Sequence, residues 1–119
     1  MPFKQILKEL VETIPGARGA ILADWEGEAV EQHCLDDDFE LKVVGAHQGI
    51  ILGRLREIHD GLALGEPGVA VISTAASRVA VSPVGSDYTL VVTLGREAVV
   101  GVALQRMRGI QQRLVREIY

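Results

Sequence analysis

Residues 68–94 constrain this chain more than any other stretch. They hold three short runs rich in Val and Thr: Gly68-Val-Ala-Val-Ile-Ser-Thr74, Arg78-Val-Ala-Val-Ser-Pro-Val84 and Tyr88-Thr-Leu-Val-Val-Thr-Leu94. β-branched side chains suit a pleated, half-buried surface. The breaks Ala75-Ala-Ser77 and Gly85-Ser-Asp87 are three residues long, short enough only for hairpins. An antiparallel meander is therefore expected, and helices elsewhere in the chain must bury their apolar stripes on its faces.

The chain has 119 residues, the size of one domain with a real core, so 1–119 reads as a single domain. With 48% hydrophobic residues, disorder is not expected. One cysteine, Cys34, allows no internal disulfide and fits a reducing, cytoplasmic setting. Lys4, Lys8, Glu9 and Glu12 interrupt the N-terminal apolar residues, so no leader is expected. No apolar run approaches the ~20 residues of a membrane span. The net charge of −4 does not suggest a nucleic-acid footprint. Residues 1–40 carry 3 basic and 10 acidic groups, whereas residues 41–119 carry 9 and 6. Such polarity either orients a partner or reflects differently solvated faces.

Upstream, Phe3, Ile6, Leu7, Leu10, Val11 and Ile14 share one face of a helix over 2–14, which Pro15-Gly16 ends. Residues 19–24 read as a strand buried on both faces. Asp24-Trp25-Glu26-Gly27 reads as a turn, and 28–34 as a more polar strand at an edge. Asp36-Asp37-Asp38 opens a long helix over 38–59. Asp37 and Glu40 have capping-box spacing, and the triplet lacks the Gly and distal Glu of a calcium loop. After the meander, Gly95-Arg96-Glu97 opens a last helix to about Glu117. Its buried face carries Val100, Ala103, Leu104, Met107, Ile110, Leu114 and Ile118. Arg106, Arg113 and Arg116 share its outer face, as solvated charge or as a strip for an anionic partner.

The long helix carries an anomaly. Gly45, Gly49 and Gly53 line up four residues apart between two apolar faces. Glycine costs a helix roughly 1 kcal/mol relative to alanine, about 3 kcal/mol for three. Close backbone approach would offset this, either by the same helix of a second subunit or by the chain's own sheet. The analogy with small-residue helix contacts in membranes suggests the former.

Catalytic constellations are not evident. No nucleophile elbow, His-Glu-x-x-His or Cys-x-x-Cys occurs. His33 and Cys34 are adjacent in a strand and so face opposite ways, while His47 and His59 would lie about 18 Å apart on a helix. Neither a metal nor a cofactor is expected. Trp25, in a hairpin turn, either folds back on a helix or stands out as a contact anchor.

The order helix, two strands, long helix, three strands, helix resembles the Roadblock/dynein light-chain domain family, particularly its bacterial MglB-like branch. The likeness rests on Leu10-Val-Glu-Thr-Ile-Pro-Gly-Ala-Arg-Gly-Ala-Ile-Leu-Ala-Asp24, on Gly27 in the first hairpin, on residues 79–94 with their Gly-x-x-Tyr turn, and on Val99-Val-Gly-Val102 at the entry to the last helix. The resemblance implies an α/β (α+β), profilin-like fold: a five-stranded antiparallel sheet in the order 2-1-5-4-3, two helices on one face and the long helix on the other. It also implies pairing through the long helix and the third strand, so that the sheet runs on across a homodimer.

On function, the resemblance implies a regulatory scaffold that binds a small Ras-like GTPase and modulates its hydrolysis without supplying a catalytic arginine. Gly45, Gly49, Gly53, Ile50, Val69, Val71 and Ser73 are the candidate dimer interface. Trp25, Arg54 and Arg56 are the candidate partner contacts. A PAS-like ligand sensor would need an internal cavity, against which the run of small aliphatic residues argues. A plain dimerisation scaffold remains an alternative, and an enzyme is not expected because the titratable groups are not clustered.

Overall fold

The computed structural model describes residues 2–24, 26, 28–35, 57, 69–73, 75 and 78–118. The first helix, α1, spans Pro2–Thr13. Ile6, Leu7, Leu10 and Val11 are buried at the three- and four-residue spacing of one helical face. Pro15 follows the helix, and Gly16 turns the chain with a φ of 86°. That left-handed backbone is a glycine conformation, and here space demands glycine as well. A Cβ on Gly16 would lie 2.9 Å from both Cα and Cβ of Ala98. The Gly16 carbonyl accepts from Gly95 N–H at 2.8 Å, so this turn pins the start of the sheet to the segment leaving its last strand.

Five strands follow: β1 (Ala17–Asp24), β2 (Ala29–Cys34), β3 (Ala70–Ser73), β4 (Arg78–Val84) and β5 (Tyr88–Leu94). They form one antiparallel sheet in the order β2-β1-β5-β4-β3, as the resemblance implied. β4 and β5 begin and end at the residues read from the sequence. β1 starts two residues earlier than expected, because Ala17 already pairs with Leu94. At the β1–β2 turn, Asp24 Oδ1 accepts from the amides of Glu26 and Glu28, each at 2.9 Å.

The sheet's two faces separate by strand parity. Ala20 and Leu22 of β1, Ala80 and Val84 of β4, and Leu90, Val92 and Leu94 of β5 join the buried residues of α1 and of the last helix in one core. Ile21, Ala23, Val79, Val81 and Val91 form a second buried cluster on the opposite face, with Ala29, Cys34 and Ala70 packed against it. The two apolar faces explain why β1, β4 and β5 read as near-continuous apolar runs. The helix expected over 38–59, the Asp36–Asp38 cap and the loop over 59–67 lie outside the described residues, apart from Glu57, which is helical and exposed.

The last helix, α2, spans Val100–Ile118. It begins at Val100 rather than at Gly95. The Gly95 carbonyl accepts from Ala98 N–H in a turn, and the Val99 carbonyl accepts from both Val102 and Ala103, which places the first helical turn after Val99. Ala103, Met107, Ile110 and Leu114 are buried, and Leu104 and Ile118 pack against the same core while half-buried. α1 contacts β1, β2 and α2, and α2 lies over β4, so both helices share one face. Lys4 Nζ reaches the Gln32 carbonyl at 3.3 Å across α1 and β2. Arg113 Nη1 donates to Glu9 Oε2 at 2.8 Å across α1 and α2.

Candidate functional site: the open sheet edge and its groove

β3 ends the sheet, and it is short. Its register with β4 pairs Ala70 with Val81 and Ile72 with Val79. Ala70 and Ile72 therefore turn toward the second cluster, whereas Val71 and Ser73 turn to the face that carries α1 and α2. Because α2 sits over β4, that face of β3 is open. Val71 is 38% exposed, Val69 just before the strand is 44% exposed, and Ser73 is exposed. A sheet edge with exposed valines is a template for pairing with another strand. Of the candidate interface, Val69, Val71 and Ser73 thus come together at this edge. Gly45, Gly49, Gly53 and Ile50 lie outside the described residues, as do the partner-contact candidates Trp25, Arg54 and Arg56.

Beside the edge runs a groove of about 360 Å³ between α2 and β4. Leu104, Met107 and Arg108 form its helical wall, and Val69, Ser82 and Pro83 its sheet side. Gln111 closes one end by donating from Nε2 to the Pro83 carbonyl at 2.6 Å. The Ser82 hydroxyl, on the buried floor, has no hydrogen-bond partner. An unpaired buried hydroxyl costs about 1–3 kcal/mol. Sequence periodicity assigns Leu104 and Met107 to a buried helical face and does not mark a groove. A polar Ser82 in an otherwise apolar strand was the available signal.

Among the described residues, the remaining chemistry-bearing side chains stay apart. His33 pairs with Ala20 and Cys34 with Gly19, which puts them on opposite faces of the sheet. Among the described residues, no three of His, Cys, Asp and Glu gather where they could hold a metal ion. Among the described residues one carboxyl is clearly perturbed: the Arg113 hydrogen bond, then its charge, hold Glu9 below the ordinary value of 4.5. Arg106, Arg108 and Arg116 are exposed, in keeping with a basic outer surface on α2. Among the described residues, no helix is long and apolar enough to cross a membrane.

No protein-family profile matches the chain, and no characterised protein sequence does. Solved structures do match. Several of them are Roadblock/LC7 domains or MglB proteins, so the chain has the Roadblock/LC7 fold. A Roadblock/LC7 domain from Streptomyces avermitilis superposes with a TM-score of 0.88 at 22% identity, over 97% of this chain and 96% of that one. MglB of Myxococcus xanthus also gives a TM-score of 0.88, at 14% identity over 99% and 95% of the two chains. An MglB structure described as having a tetrameric arrangement gives 0.84 at 17% identity, over 94% and 84%. More distantly, profilin IB of Acanthamoeba castellanii matches at a TM-score of 0.65 and 11% identity over 98% of each chain, so the profilin-like architecture also holds. The likeness to the Roadblock domain and its MglB-like branch, read first from residue order and spacing, is thus borne out in the fold.

Proposed function

We propose that residues 1–119 form one homodimeric, non-enzymatic regulatory module of the MglB-like kind, acting in the cytoplasm on a small Ras-like GTPase and modulating its GTP hydrolysis. The observation that carries the self-association is the open β3 edge. Pairing β3 with the same strand of a second copy satisfies its outer backbone groups and buries Val69 and Val71, which stand exposed in the single chain. The tetrameric arrangement described for one MglB structure supports self-association in proteins of this fold. The GTPase rests on the likeness to MglB, with Trp25, Arg54 and Arg56 as the proposed contacts and the glycine line of Gly45, Gly49 and Gly53 with Ile50 completing the dimer.

Sedimentation velocity tests both halves of this reading. The purified chain is run alone, then with a Ras-like GTPase from the same genome loaded with GDP or with a non-hydrolysable GTP analogue. The expected result is a dimer that binds the GTP form. A dimer that ignores both forms removes that GTPase and leaves a dimerisation scaffold. A monomer that ignores both overturns the proposal.

A further inference from the structure

The groove beside the edge shares only Val69 with the residues proposed for pairing. We infer that the groove between α2 and β4 docks a segment of a partner protein that presents an apolar side chain beside a carboxylate. Its volume of about 360 Å³ lies at the small end of clefts that hold ligands, the scale of a side-chain anchor. Its helical wall offers an apolar stretch, the half-buried Leu104 and the polarizable Met107, beside the polar Ser82, Arg108 and Gln111. Its sheet side ends at Val69, and Val71 on the strand edge is not among the residues that line it.

Charge selects the occupant. Along Val100–Ile118, α2 carries four arginines and one glutamate. Arg113 is matched internally by Glu9. Arg108 lines the groove, is exposed, and among the described residues no carboxylate pairs with it. A basic residue beside an apolar stretch favours a segment bearing an acid and disfavours a basic one. Gln111 is already engaged with the Pro83 carbonyl, which holds the wall in place without consuming Arg108. All of these groups belong to one protomer, and only Val69 is shared with the pairing edge.

The chain offers its own reporter. It contains two methionines, Met1 and Met107. In protein labelled with methyl-¹³C methionine, the Met107 methyl reports from the groove wall. The probe is a twelve-residue synthetic peptide of alternating leucine and glutamate, and its control is the leucine–lysine counterpart. The expected result is a saturable shift of the Met107 methyl signal with the acidic peptide, and none with the basic one. Arg108→Glu, at an exposed position, should weaken the acidic peptide about fivefold or more. Val71→Lys, at the strand edge, should leave its affinity within about twofold while changing sedimentation, which separates this groove from the pairing proposed above. The inference is overturned by an unmoved Met107 signal, by equal shifts with both peptides, by an affinity indifferent to Arg108→Glu, or by loss of binding in Val71→Lys.

Discussion

Gly16 is the position where one added methyl group should cost most. Its φ of 86° is left-handed, and an alanine there loses about 1–2 kcal/mol from backbone sterics alone. The new Cβ would also sit 2.9 Å from Cα and Cβ of Ala98 and 3.0 Å from its nitrogen. Two of those three atoms are backbone, at the buried Ala98 of the turn that leads into α2, so relief requires moving the chain rather than turning a rotamer. Forced overpacking of this kind costs about 1–3 kcal/mol. Gly16→Ala should therefore lose roughly 2–5 kcal/mol, a large part of the ~5–15 kcal/mol typical of a domain. At this chain length, the midpoint of thermal unfolding falls about 4 °C per kcal/mol, so a drop of about 8–20 °C is expected. Urea denaturation at fixed protein concentration gives the free energy directly. Gly109→Ala is the internal control: it lies in α2, exposed, with nothing within 4 Å of its added Cβ, and should gain up to about 1 kcal/mol. A loss below about 1 kcal/mol at Gly16 would refute the argument that this turn clamps α2 to the sheet.

Three further outcomes follow from the same structure. Ser82→Ala removes an unpaired buried hydroxyl and should stabilise the protein by about 1 kcal/mol in urea denaturation; a comparable loss would show that the hydroxyl is bonded. Arg113 lowers the Glu9 pKa, so this pair contributes above a glutamate's ordinary 4.5 and its contribution is lost as pH falls below that value. In an NMR titration, Arg113→Gln should raise the Glu9 midpoint toward 4.5, and an unmoved midpoint would deny the coupling. Val71→Lys puts a charge on the open edge and should shift the chain to monomer at micromolar concentration with an unchanged circular dichroism spectrum; a persistent dimer would place self-association elsewhere.

The sequence was most legible where both sides of an element are buried. β4 and β5 carry apolar residues on both faces and are bounded by Gly85 and Gly95, so period and punctuation agree to the residue. β1 begins two residues before its sequence pattern because Ala17 is held by Leu94, a partner far along the chain. The start of α2 departs from the sequence expectation for a related reason. Gly95 reads as a helix opener by local chemistry, but its amide is taken by Gly16 and its carbonyl by Ala98. β3 was recognised as an edge, and the exposure of Val69 and Val71 agrees with that reading.

By itself, the sequence determined the meander, the amphipathic faces of α1 and α2, and, through residue order and spacing, the family whose fold the chain adopts. Those features depend on local period, turn chemistry and composition, which can be read from neighbouring residues. Only the tertiary structure decided that Gly16 must be glycine for Ala98, that Arg113 answers Glu9, and that α2 sits over β4 while Val71 on β3 stays open. Each is a contact between segments distant along the chain. Local propensity does not encode such contacts: they arise when two apolar helical faces settle on one side of a twisted sheet and leave part of its edge uncovered.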